Sequence, residues 1–319
     1  MSVFASVMRP VILAAGRSHR LRHSAERMPI ARDVVNRFVP GETVDDALAA
    51  VTVLRGSSRL VSIDYLGEDV TDIDAAESTV TAYLRLLDAL GACGDNRAAV
   101  RPLEVSLKLS ALGQALPTDG DKVAFENAHT ICQRAQQVGA WVTIDAEDHT
   151  TTDSTLSIVR ELRTEFPWLG TVLQAYLTRT EADCAEFAAA GARIRLCKGA
   201  YDEPASVAYR DAGEVTASYL RCLRTLMAGD GYPMVASHDP AVIAAAGEMA
   251  REFGRYSERF EYQMLYGIRD AEQRKLAAQG NHVRVYVPFG TQWYGYFVRR
   301  LAERPANLMF FLRALAHGH

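Results

Sequence analysis

The sequence has no long apolar run, no G-x-G-x-x-G, no paired cysteines and no basic block, and each absence removes a class of function. Nothing approaches the roughly 20 apolar residues of a membrane-spanning helix. The opening "MSVFASVMRPVILAAGR" is mildly apolar, but Arg9 and Pro10 interrupt it, a poor fit to a secretory signal. Cys93, Cys132, Cys184, Cys197 and Cys222 are dispersed without a C-x-x-C, so neither a disulfide framework nor a zinc site is expected. A net charge of −4 with no Lys/Arg stripe argues against a nucleic-acid partner. The expected compartment is the cytoplasm, with peripheral attachment to the inner face of the cell membrane left open.

What is present is an ordinary globular composition, 49% hydrophobic and 23% charged over 319 residues. Residues 1–57 read as an amphipathic helical arm, for example "TVDDALAAVTVLRG" from Thr43. From 58 to 319 short β-rich runs recur, most followed by a helical stretch. They are "RLVSIDYL" from Arg59, "LEVSLKLS" from Leu103, "WVTIDAE" from Trp141, "TVLQAYL" from Thr171, "ARIRLCK" from Ala192, "PMVASH" from Pro233, "FEYQMLY" from Phe260 and "HVRVYVP" from His282. Between them, "AESTVTAYLRLLDALG" and "TASYLRCLRTLMAG" carry apolar residues at helical spacing, and Asp239-Pro240 is an N-cap followed by proline at the first helical position. Alternating strands and helices predict a parallel sheet, and eight such units predict a closed (βα)8 barrel of the TIM type. The rival, an open doubly wound sheet, is weakened by the missing G-x-G-x-x-G.

Barrel chemistry gathers at the C-terminal ends of the strands. Those ends are polar here: Glu68, Lys108, Asp145 with Glu147, Gln174, Arg195 with Lys198, His238, Gln263 and Tyr286. Each has a plain structural alternative. Lys108 could snorkel, at least one of Asp145 and Glu147 is expected to be structural, and His238 before Asp-Pro reads first as a capped turn. "DAEDH" matches no ligand spacing, so no metal is expected. In "YGYFVRRLAERPAN", Tyr296, Arg299, Arg300 and Glu303 share one helical face. Alone that face reads as solvated. A short link behind the eighth strand brings its start near the polar rim.

Taken in order, "DYLGE", "SLKLSALG", "TIDAED", "LQAYL", "RLCKGAY", "SHD", "YQMLYG", "RVYVPFG" and "YFVRRLAE" resemble the proline dehydrogenase family, from about residue 59 to 307. The resemblance implies a distorted (βα)8 barrel with its last helix over the strand ends. It implies FAD bound without a Rossmann domain, L-proline oxidised to Δ1-pyrroline-5-carboxylate, and a membrane quinone as electron acceptor. By the same resemblance Arg299 and Arg300 clamp the substrate carboxylate with Lys108. Tyr286, Tyr296 and Leu265 pack around the ring, and Glu68 pairs with one of the arginines. Asp145 and Arg195 match the active-site acid and the arginine near the reactive flavin nitrogen. Ala146, Gln174, Lys198, Gly199, Ala200, Ser237, His238 and Glu303 match cofactor contacts. Asp202 departs from the family, where tryptophan is common. The other readings are a hydroxyproline dehydrogenase, a Schiff-base aldolase using Lys198 or Lys108, a metal-dependent barrel hydrolase, for which "VSIDYLG" lacks a histidine pair, and a non-enzymatic flavin or amino-acid binder.

Overall fold

The computed structural model describes residues 35–93 and 98–303, with the side chains at 299 and 301–303 outside that description. Eight parallel strands, β1 (Leu60–Tyr65), β2 (Leu103–Leu107), β3 (Trp141–Ile144), β4 (Gly170–Gln174), β5 (Arg193–Cys197), β6 (Tyr232–Ala236), β7 (Glu261–Leu265) and β8 (Val283–Phe289), form a closed barrel in chain order. Closure runs from Leu60 opposite Arg284 to Tyr65 opposite Phe289. All eight predicted strands are present.

Helix α1 (Val44–Arg55) precedes β1, and α2 (Ile73–Gly91), α3 (Gly120–Val138), α4 (Thr152–Glu165), α5 (Thr180–Ala189), α6 (Ala212–Ala228), α7 (Pro240–Glu252), α8 (Asp270–Ala278) and α9 (Trp293–Glu303) follow the successive strands. Their apolar faces follow the 3.6-residue period. In α2, Val80, Tyr83, Leu86, Leu87 and Leu90 are buried in the same core cluster as the strand residues. Asp239 caps α7 by accepting from Ala241 N–H, with Pro240 in the first turn.

The ring closes unconventionally. Thr43 and Asp46 form a capping box at the start of α1, and Ala47, Ala50, Val51 and Leu54 join the barrel core. This helix packs against β8, β1 and α2. It therefore takes the outer position that a helix after β8 would otherwise fill, and an arm bounded at residue 57 includes a helix integral to the barrel. With that position taken, α9 turns inward: its Tyr296 shares a cluster with Leu265 and Tyr286 at the C-terminal ends of β7 and β8. Residues 1–34 of the predicted arm lie outside the described residues.

Candidate functional site

Strands of parallel barrels usually read as continuous apolar runs, because both faces are buried. Here apolar residues alternate with polar ones, and the polar set points to the axis. Lys108, Arg193, Arg195 and Arg284 meet Asp64, Glu104, Asp145 and Glu261 inside the barrel. Four cations against four carboxylates leave the interior formally neutral. Burial alone would raise the pKa of Glu104, but Arg193, Arg284 and Arg195 overcome it and hold it at about 2. Arg284 forks onto both oxygens of Glu261, at 2.7 and 2.9 Å.

Arg195 occupies the centre. Its Nε donates to Gln263 (2.6 Å), one terminal nitrogen to Ser106 (2.8 Å) and Asp145 (2.5 Å), and the other to Ser62 (3.0 Å) and Glu104 (2.9 Å). A guanidinium has five N–H donors, so every one has a partner within the protein. In this arrangement Arg195 offers a neighbouring ligand its charge and its face, not a hydrogen bond.

Above it, Lys108 Nζ pairs with Asp64 at 2.6 Å and lies 3.9 Å from Asp145. Burial would lower its pKa, but Asp64 and Asp145 raise it above the ordinary lysine value. A protonated, paired amine is a poor Schiff-base nucleophile, which counts against Lys108 in the aldolase reading. The Tyr286 hydroxyl lies 2.7 Å from Asp64 Oδ2 and 2.8 Å from Asp145 Oδ2, and its ring lies beneath the Arg195 guanidinium at 5.3 Å. The phenol is thus tied down at its polar end.

At the mouth, Tyr296 and Arg300 of α9 are buried, and the Arg300 guanidinium sits 5.0 Å from the centre of the Tyr296 ring. Burial pushes the Cys197 thiol up to about 12, while Gly199 N–H and the charges of Arg195 and Arg300 pull the other way. Tyr296 packs with Leu265 and Tyr286 at the ends of β7 and β8, so Arg300, stacked beside its ring, lies on the barrel side of α9. This half of the helix is not a solvated face. Glu68 is half-buried in the loop after β1, and its charge bears on Lys108 and Glu147. The side chains of Arg299 and Glu303 lie outside the described residues.

The ends of β3 to β6 bring together the other predicted residues. Gln174 Nε2 donates to the Glu147 carbonyl (2.8 Å). Lys198, about a third exposed, pairs with Asp239 and donates to Thr216, each at 2.9 Å. Gly199 has φ +110°, and a Cβ there would lie 2.4 Å from the Tyr176 ring. Ser237 Oγ accepts from Asp239 N–H (3.1 Å). His238 Nε2 accepts from Leu265 N–H (2.9 Å), which leaves the ring proton on Nδ1. Ala146 and Ala200 are half-buried on the same rim. A lysine, a hydroxyl, an imidazole N–H and partly open backbone form a donor-rich rim suited to an anionic ligand. Asp202, the departure from the family pattern, is exposed and pairs with Arg210 at 2.9 Å.

Sequence reasoning missed Asp64, Glu104, Arg193, Glu261 and Arg284. The signal was available: Ser62/Asp64, Glu104/Ser106/Lys108, Arg193/Arg195, Glu261/Gln263 and Arg284/Tyr286 each repeat at spacing two. It also missed Glu203, which accepts from His149 N–H (3.0 Å), its ring Nδ1 and the Tyr176 hydroxyl (3.3 Å), and so braces the Gly199 turn from behind. Glu147, by contrast, is engaged with Ser110 N–H and Oγ, bracing the turn after β2. No group of three or more His, Cys, Asp and Glu among the described residues is arranged to hold a metal ion.

Known proteins resemble this chain in sequence and fold. The family model for proline dehydrogenase matches residues 47–313. Proline dehydrogenase of Deinococcus radiodurans is 38% identical over 288 residues, covering 90% of this chain and 91% of that protein. Proline dehydrogenase 1 of Bacillus subtilis is 37% identical, covering 88% and 89%. Among solved structures, proline utilization A (PutA) from Bdellovibrio bacteriovorus, inactivated by N-propargylglycine, superposes with a TM-score of 0.78 at 27% identity. That match covers 86% of this chain and 33% of the PutA chain, so this chain spans about a third of that protein.

Proposed function

The chain belongs to the proline dehydrogenase family and is an oxidoreductase acting on proline, at the first step of its catabolism; from that premise we propose that it passes a hydride from proline Cδ to N5 of FAD, yielding Δ1-pyrroline-5-carboxylate, with a quinone as final acceptor. The observation that carries the reading is the burial of Arg300 against Tyr296 over the barrel mouth. Guanidinium forks suit a carboxylate, the strongest handle proline offers.

The substrate amine must be neutral when hydride leaves, so that its lone pair stabilises the developing iminium. Holding the small ring in one pose is the protein's task. Arg300, joined by Arg299, grips the carboxylate. Tyr286, Tyr296 and Leu265 line the ring pocket and exclude water. Lys108 and Arg195 supply fixed positive charge from below, and Arg195 acts as a charge because its N–H groups are committed. Asp145 holds that charge in place. Glu68 adds negative charge at the loop edge.

Around the cofactor, the donor set at the β3–β6 rim fits a flavin dinucleotide. Lys198, the Gly199–Ala200 turn, Ser237 and His238 present cationic and N–H or O–H groups, and Gln174 and Ala146 flank them. Glu303 joins this set by family resemblance. Room beside Tyr286 and Tyr296 for a ring hydroxyl decides between proline and hydroxyproline. No helix among the described residues is long and apolar enough to cross a membrane, so a membrane quinone would be met at the surface.

The test is direct. Purified protein is expected to be yellow, and anaerobic proline to bleach it. A colourless protein trapped by borohydride with a carbonyl substrate would instead be the aldolase. A yellow protein that binds proline without bleaching would be a binding protein.

A further inference from the structure

We infer that residues 35–42 form a strap that sets the position of α9, and that Phe38 is a positioning residue for substrate capture. Three kinds of contact tie this segment to the loops around the mouth. The Gly41 carbonyl accepts from Gly290 N–H at 3.1 Å, just after β8. Glu42 accepts from Trp293 Nε1 at 3.3 Å, in the first turn of α9. The Arg37 carbonyl lies against Gly267, after β7, so closely that a Cβ at 267 would sit 1.7 Å from its oxygen. Gly267 has φ +72°, a second reason for glycine there.

Packing completes the hold. Val35, Phe38 and Val39 are buried with Trp293, Tyr294, Tyr296, Phe297 and Val298, and this cluster continues into Leu265 and Tyr286. Phe38 meets Phe297 with ring centres 6.2 Å apart. The helix is therefore sandwiched. Its Tyr296 and Arg300 side faces the barrel, and Phe297 packs on the strap. An 11-residue helix behind a short link has little of its own to fix its tilt. The strap supplies that constraint from more than 250 residues away in sequence, as the separation of Phe38 from Phe297 shows. The consequence for substrate rests on the carboxylate-grip reading of Arg300.

The experiment uses the full-length, flavin-loaded protein and the variants Phe38→Ala, Gly267→Ala and Arg300→Met. Amide exchange of residues 293–303 reports the hold on α9. Binding of tetrahydrofuran-2-carboxylate, a ring carboxylate without an oxidisable amine, reports the grip. Phe38→Ala and Gly267→Ala are each expected to speed exchange in α9 and raise the ligand Kd, both by about tenfold, while kcat at saturating proline stays within about twofold. Unchanged exchange in both variants overturns the strap. Faster exchange with unchanged Kd, where Arg300→Met does raise Kd, overturns the positioning role of Phe38 and leaves the grip standing. If Arg300→Met itself leaves Kd unchanged, the grip reading fails, and the exchange data alone decide whether the strap holds α9.

Discussion

Lys108 and Asp64 form a buried ion pair, 2.6 Å from ammonium to carboxylate, on the axis of the barrel. Removing Asp64 leaves a buried ammonium whose remaining carboxylate, Asp145, is 3.9 Å away and already paired with Arg195, and losing one partner of a buried pair costs about 3–5 kcal/mol. Asp64→Ala is therefore expected to lose stability of that order in urea denaturation. Replacing both members with apolar residues of similar size, Asp64→Leu with Lys108→Met, should recover most of the loss. A single variant within about 1 kcal/mol of wild type would mean that Asp145 takes over the lysine or that the lysine escapes to solvent.

Gly199 and Gly191 make a matched pair for testing the cofactor turn. Both have positive φ, +110° and +63°, but a Cβ at 199 runs into the Tyr176 ring at 2.4 Å, whereas nothing lies within 4 Å at 191. Gly191→Ala is expected to cost only the backbone strain, about 1 kcal/mol, and to keep its flavin. Gly199→Ala must also move Tyr176, whose hydroxyl bonds to Glu203. Its expected signature is a several-fold lower ratio of flavin to protein absorbance with the far-ultraviolet circular dichroism retained. Equal flavin content in the two variants would remove the turn from the cofactor site.

How much of this was legible beforehand differs between the barrel and its contents. The eight strands announced themselves through β-rich runs, and Asp239-Pro240 marked its helix start because capping is local chemistry. The polar rim followed from knowing where barrel chemistry sits. The interior charges did not, because each is satisfied by residues far off in sequence: Arg195 reaches Ser62, 133 positions away, and Gln263, 68 away. Spacing-two polar repeats carried that information, but they mean a charged axis only once the strands are known to be parallel and closed. Likewise, nothing in "TVDDALAAVTVLRG" says that it fills the eighth helix's place. Only the packing of Ala47 and Leu54 into the core does so.

Arg300 offers the sharpest functional test. Charge-assisted hydrogen bonds contribute about 1.5–3 kcal/mol, so Arg300→Met is expected to raise the proline KM at least about tenfold. Flavin content should match wild type, since the residue is assigned to the substrate and not to the cofactor. An unchanged KM would refute the carboxylate grip. A loss of flavin together with activity would instead give Arg300 a structural role beneath α9.

Glu147 gives the protein a pH dependence of predictable sign. Burial, opposed by Ser110 and Lys108 and reinforced by Glu68, lifts its pKa from 4.5 to about 7. Between those values the folded protein holds a proton that the unfolded chain has released. Stability contributed by this group is therefore complete below pH 4.5 and is lost as pH rises through about 7. The loss is on the order of 3 kcal/mol at most, since each pH unit between the two values contributes about 1.4 kcal/mol. Glu147→Gln keeps an acceptor for Ser110 N–H and adds an amide N–H that can donate to Ser110 Oγ, but it cannot ionise. Urea unfolding from about pH 5 to 8 should show the variant gaining on wild type by roughly 2–3 kcal/mol across that range, with the steepest change midway between the two pKa values, at roughly pH 6, and a plateau above neutrality. A pH-independent difference between the two would mean that Glu147 is already ionised in the folded protein at pH 5, compensated by Lys108.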